Sequence, residues 1–180
     1  MVRHGETEWS RDHRHTSRTD LPLTMVGEQV ARGLANRLGR IGFSLVLTSP
    51  LRRARDSAAL AGFPDATVEH DLTEWDYGDY EGITTAQIRQ TTPGWTVWTH
   101  ESPGGEMPEA VAARLDRVIV TVRQHPGHSL LFGHGHALRA FTARWLGLPV
   151  RDGRLWRLDT ATVSVLGYER DQACIVTWNG

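Results

Sequence analysis

Two short, continuously apolar runs constrain this chain most: Ser44–Thr48 (Ser-Leu-Val-Leu-Thr) and Ser129–Phe132 (Ser-Leu-Leu-Phe). Runs this short, bounded by glycine or proline, read as strands buried on both faces, the pattern of a parallel sheet. Between and around them lie segments of helical period. Val26, Val30, Leu34 and Leu38 recur every fourth residue behind a capping Thr24 and ahead of Gly39. Ser49-Pro50 offers a cap and a first-turn proline before Leu51–Leu60. Val111, Leu115, Val118 and Val122 mark a third helix, and Ala137–Leu146, closed by Gly147 and Pro149, a fourth. Residues 162–167 and 173–178 alternate around Tyr168–Gln172, as a hairpin would. Strands alternating with helices predict an α/β, three-layer sandwich: a mostly parallel central sheet with helices on both faces. At 180 residues, with no repeat or linker, the chain reads as one domain over 1–180.

Composition excludes several chemistries. Lysine is absent, so all 20 basic residues are arginine, which rules out Schiff bases, a lysine nucleophile and a Walker phosphate loop. The formal net charge of −1 argues against bulk electrostatic binding to nucleic acid or an anionic membrane. Cys174 is the only cysteine, so neither an internal disulfide nor a thiolate zinc site forms. No apolar run reaches a membrane span and no secretory signal opens the chain, so the default expectation is a soluble cytoplasmic protein.

A parallel sheet gathers its strand ends at one edge, where such folds place their chemistry. Arg3-His4 follows the first short apolar start, Ser49 to Arg53 follows the run at 44–48, Glu74 follows Thr67–Leu72, and Gly133-His134-Gly135-His136 follows 129–132. Together they bring arginines, histidines and one carboxylate into a single cleft. Guanidinium forks match phosphate oxygens, and the same charges keep a neighbouring imidazole neutral and nucleophilic. A nearby carboxylic acid can protonate a leaving oxygen. The chemistry so implied is phosphoryl transfer through a phosphohistidine, with no metal and no cofactor required.

These residues carry a resemblance. Arg3-His4-Gly5-Glu6-Thr7 resembles the signature of the histidine phosphatase superfamily, in its phosphoglycerate-mutase-like branch. Further blocks follow in the family's order up to about residue 141: Asp20 to Thr24 with Gly27, Ser49 to Ala54, Glu74 to Gly82, and Phe132 to Gly135. The stretch from Glu74 through Gly105 is most similar to acid-phosphatase-like and sedoheptulose-bisphosphatase-like members. The resemblance implies His4 as the phosphorylated nucleophile. Arg3, Arg53 and His134 would hold the phosphoryl oxygens, and Glu74 would act as proton donor and later activate water. Glu81 is the next carboxylate in line, while Arg52 and Arg55 read as solvated helix residues.

Many members carry Asn where this chain has Ser10, and Gln-Gly where it has Thr16-Ser17. Many also have a longer apolar strand ahead of the Arg-His pair than Met1 and Val2. Ser10, Thr16, Ser17, Gly135 and His136 are therefore expected substrate contacts. Trp75 and Trp98 are expected in a cap-forming segment, about 75–105, as an aromatic lid over the pocket. The expected substrate is a small-molecule phosphate ester: a sugar phosphate, or an aromatic phosphate such as a nucleotide or flavin phosphate. Arg11, Arg14, Arg18 and Arg89 are available for a second anionic group. His13 and His15 read as surface residues without a role, and exposed tryptophans would favour a homodimer. The competing readings are a phosphoglycerate-type phosphomutase and a non-catalytic phospholigand-binding module. The short span between Glu74 and His134 leaves little material for a mutase lid, and the retained His4 and Glu74 argue against a dead scaffold.

Overall fold

A computed structural model describes residues 1–180. In chain order the elements are β1 (Val2–Arg3), α1 (Glu8–Arg11), α2 (Met25–Gly33), α3 (Ala35–Leu38), β2 (Phe43–Thr48), α4 (Arg52–Leu60), β3 (Thr67–Val68), α5 (Thr85–Thr91), α6 (Pro108–Gln124), β4 (His128–Gly133), α7 (Gly135–Trp145), β5 (Val165–Glu169) and β6 (Gln172–Thr177). Short 3₁₀ segments lie at His70–Leu72, Gly78–Tyr80 and Val150–Leu155.

The sheet is parallel, in the order β1-β4-β2-β3, with Arg3 opposite Gly133 and Thr48 opposite Phe132. Side chains of a strand alternate between faces. In β4, Leu131 joins the core that covers α6 and α7, whereas Leu130 and Phe132 join the core beneath α3 and α4. Both faces are thus apolar, which is why the runs read as continuous rather than alternating. β5 and β6 form a separate antiparallel hairpin turning at Arg170-Asp171, and Val163 bridges back to Val2. No helix is long and apolar enough to cross a membrane.

Three local expectations need correction. The four-residue stripe runs past the end of α2 into α3, and its first half is not buried: Val26 and Val30 are 58% and 47% exposed. Burial instead follows Gly27, Ala31, Leu34 and Leu38. A strict step of four drifts about 40° per repeat around a helix of 3.6 residues per turn, and a 4-3-4 step tracks the core better. Ser49 does not cap α4, whose N-cap is Leu51; its hydroxyl faces His134 instead. Finally, none of the seven tryptophans is exposed, so the premise for a tryptophan-built dimer contact is absent.

Candidate active site

The carboxyl edge of the sheet assembles the site. The His4 N–H donates to Gly133 O at 3.0 Å and the Ser49 N–H to Phe132 O at 2.9 Å, which locks the three strand ends side by side. The Gly5 N–H donates to Ser57 Oγ at 2.9 Å, tying the loop after β1 to α4. Gly5 and Gly27 permit a close backbone crossing here. A Cβ on Gly27 would lie 2.2 Å from Glu6 O, and one on Gly5 2.6 Å from Gly27 O.

His4 is buried, and its Nδ1 lies 2.7 Å from Gly5 O. A carbonyl can only accept, so Nδ1 carries the proton and Nε2, which has no protein partner, keeps its lone pair. Burial, then the Arg53 and Arg3 charges, hold the His4 pKa well below that of a free imidazole. His134 is also fully buried, with its ring centroid 5.2 Å from that of His4. Its Nδ1 accepts from Arg53 Nε at 3.2 Å, so Nε2 donates to Ser49 Oγ at 2.7 Å. Burial followed by the Arg53 charge likewise keeps it neutral.

Glu74 closes the other side. Its Oε1 accepts from the Trp75 and Ala137 N–H groups at 2.9 and 2.7 Å, and its Oε2 from the His136 N–H at 3.1 Å. Two of these donors belong to the first turn of α7, which has no side-chain cap of its own. The glutamate satisfies the open helix end from another part of the chain, and the end fixes the glutamate.

Arg3 is half-buried. Its Nη1 donates to Leu158 O at 2.6 Å, while its buried Nε has no partner. Gly135 lies against this guanidinium, where a Cβ would make ordinary contact at 3.4 Å from Arg3 Cζ. Arg53 is wholly buried and largely committed: Nη1 meets Thr19 O, Nη2 meets Thr16 O and Ser17 O, and Nε meets His134.

A cleft of about 180 Å³ is lined by Arg3, His4, Ser10, Thr16, Glu74, Gly135 and His136 from the expected set. Arg53 and His134 stand behind it. Ser10 borders the cleft, but its hydroxyl accepts from Thr7 N and donates to Thr7 O, closing a capping box on α1, so it has no proton to offer an anion. Thr16 also spends its hydroxyl on backbone, at Arg14 O. Ser17 is not a cleft contact: it is buried, and its N–H and hydroxyl both go to Glu81. Burial pushes the Glu81 pKa up, but the donors from Ser17 and Thr19 outweigh it and bring it down. Glu81 is therefore a tie for the loop over 16–19.

Trp75 and Trp98 form no lid. Trp75 is buried in the core with its Nε1 on Glu106 O, and Trp98 packs edge-on against both Trp75 and His136. Their indoles point inward and anchor the segment 75–105 to the larger core it shares with α6 and α7. Sequence reasoning missed Tyr77, Arg139, His13 and His15 on the cleft wall, where Arg14, one of the arginines held available for an anion, also lies. Tyr77 OH bonds His136 Nδ1 at 2.6 Å, and His15 nests between Tyr77 and Trp95, its pKa lowered by burial to about 4. Arg139 lies four residues after Gly135, one helical turn along α7, a spacing that could have pointed to it. No cluster of three or more His, Cys, Asp or Glu side chains suited to a metal ion is present.

A neutral imidazole flanked by arginines, with a second buried imidazole and a helix-held carboxylate beside it, is an arrangement able to bind a phosphoryl group and to exchange a proton with its ester oxygen. The sequence pattern of the histidine phosphatase superfamily (branch 1) matches residues 1–180, and the chain belongs to that superfamily. It is a phosphatase, the activity for which two of its curated relatives are named. It is 41% identical over 173 residues to an acid phosphatase of Mycobacterium tuberculosis, covering 94% of this chain and 85% of the relative. It is 35% identical over 188 residues to sedoheptulose 1,7-bisphosphatase of Saccharomyces cerevisiae, covering 84% and 68%. The solved structure of an open reading frame product of M. tuberculosis superposes with a TM-score of 0.93 at 38% identity, covering 99% of this chain and 94% of that one.

Proposed function

We propose that this phosphatase is a metal-independent phosphomonoesterase acting on a small-molecule phosphate ester through a phosphohistidine on His4. The observation that carries the reading is the 2.7 Å contact of His4 Nδ1 with Gly5 O, which leaves Nε2 unprotonated beside two guanidinium groups. In the first step Nε2 attacks phosphorus in line, the P–N bond forms and the P–O bond to the alcohol breaks. The leaving oxygen takes a proton from Glu74, at Oε2, which has one backbone donor against two on Oε1. Arg3, through its unpartnered Nε, and the pair Arg53–His134 stabilise charge on the phosphoryl oxygens. In the second step the Glu74 carboxylate takes a proton from water, the water oxygen attacks phosphorus, and the P–N bond breaks to release inorganic phosphate and neutral His4.

Both substrate readings stand: a sugar phosphate, or an aromatic phosphate such as a nucleotide or flavin phosphate. No tryptophan lines the cleft, and the aromatic surface it offers comes from Tyr77, His15 and His136.

The test is acid-quench trapping with a ³²P-labelled ester, with vanadate and chelator controls. Label that is acid-labile, base-stable and lost in His4→Ala, with turnover blocked by vanadate and indifferent to chelator, supports the reading. Full turnover by His4→Ala, or its abolition by chelator, would overturn it. Transfer of phosphate between positions of one substrate without free phosphate would point to the mutase.

A further inference from the structure

Glu74 stands between two hollows. It borders the cleft that holds His4, and it also borders a separate hollow of about 540 Å³, walled by the loop at Ser17-Arg18, by Leu51 and by the turn at Gly104-Gly105. No other residue lines both. The walls of the second hollow have nothing left with which to select a ligand. Ser17 gives its hydroxyl proton to Glu81, and Thr73 gives its own to His70 O at 3.0 Å. Arg18 pairs with Asp76, whose Oδ1 also accepts from the Gly78 N–H. Arg114 spreads its guanidinium over both oxygens of Glu106 and over the Asp71 and Thr73 carbonyls. Leu51 and the two glycines add no polar side chain. Glu74 is the exception. Three backbone N–H groups fill three of the roughly four acceptor positions of a carboxylate, and Oε2, with one donor against two on Oε1, keeps the spare one. A polar space of this size fills with water, each molecule needing only about 30 Å³.

The second half of the reaction needs that water. The alcohol leaves from the point beside Glu74 to which the attacking water must come, because one carboxylate serves both steps. Water arriving through the cleft has to wait until the alcohol has gone. We infer that the second hollow is the water entrance for the hydrolytic step, supplying Glu74 Oε2 from outside the cleft, so that the phosphohistidine is hydrolysed before the alcohol has cleared the site. The inference rests on the phosphohistidine reading of the cleft. The step keeps its balance: the water oxygen bonds to phosphorus, the P–N bond to His4 breaks, and the water proton passes to the Glu74 carboxylate. The hollow adds independence from the product, and with it little return of the phosphoryl group to the alcohol.

The test plugs the hollow from two walls, with Leu51→Trp and Thr73→Phe, at positions that do not line the cleft. Rapid-quench kinetics with ³²P-labelled glycerol phosphate, with and without added glycerol, read formation and loss of the phosphoenzyme separately. In wild type, loss is expected to be insensitive to glycerol. In either plugged variant, formation should keep its rate while loss slows by about threefold or more, and further with glycerol. Label returning to glycerol should rise in the same variants. Equal slowing of both steps, loss at the wild-type rate in the folded variants, or loss that glycerol already slows in wild type would overturn the entrance. If wild type forms no phosphoenzyme, the phosphohistidine reading fails instead. A crystal structure with vanadate in the cleft then decides the hollow alone: ordered waters running through it to Glu74 uphold the entrance, and a hollow closed off from Glu74 removes it. Should one substitution not fold, the other variant and the vanadate structure carry the same decision.

Discussion

Arg53 offers the most demanding check on the geometry, because it sits at the centre of the site yet spends most of its donors on protein. It is fully buried, and four contacts join it to Thr16 O, Ser17 O, Thr19 O and His134 Nδ1. A guanidinium has five N–H donors, so little is left for a substrate. The side chain therefore staples the loop over 16–19 to α4 and to the second histidine, as well as lending charge. Arg53→Met would strip these partners at once. A hydrogen bond to a charged group contributes roughly 1.5–3 kcal/mol net, but the loop relaxes and water reaches the freed carbonyls. The expected loss is nearer the about 3–5 kcal/mol seen when one side of a buried charged contact is removed. For a chain of this size about 1 kcal/mol corresponds to roughly 2–4 °C, so Tm should fall by about 6–20 °C in thermal unfolding followed by circular dichroism. Arg53→Lys keeps the charge but not the fork, and should recover only a small part of the loss. A drop in Tm below about 4 °C for Arg53→Met, or full recovery by lysine, would refute the staple.

Glu74→Gln keeps an oxygen for the α7 amides but cannot cycle a proton. Turnover on an alkyl ester should fall by about 10²–10⁴, with Tm nearly unchanged; a fall below tenfold would remove Glu74 from proton transfer. Gly27→Ala places a methyl 2.2 Å from Glu6 O, a backbone atom, so a loss of at least about 1–3 kcal/mol is expected in urea unfolding; a neutral result would show that the crossing is loose. His4, His15, His134 and His136 all have lowered pKa values, His15 to about 4, with burial the leading cause in each. Groups held neutral in the fold but protonated when unfolded make stability full above about pH 6.5 and progressively lost below it, toward pH 4 for His15. Each adds a slope of up to about 1.4 kcal/mol per pH unit. A urea midpoint that stays flat from pH 7 to 4.5 would contradict their burial.

The architecture, and the grouping of the candidate site residues, follow from local pattern in the chain. The apolar runs at 44–48 and 129–132 can be satisfied only with both faces covered, which demands a parallel sheet between helices. The polar residues that follow each run then meet at one edge whatever the details of the loops. That is why His4, Arg3, Arg53, Glu74 and His134 were legible as a group. How the remaining donors are spent depends on contacts between distant parts of the chain. Ser10 and Ser17 look like substrate contacts until Thr7 and Glu81 are seen to take their hydroxyls. Trp75 looks like a lid until the space beneath the segment 75–105 proves to need filling. Tyr77 and His15 carry no mark in the sequence that puts them on the cleft wall, since that depends on what folds alongside. A side chain's chemistry is local and can be read from the chain. Whether that chemistry is still available depends on long-range pairing, and only the assembled structure fixes it.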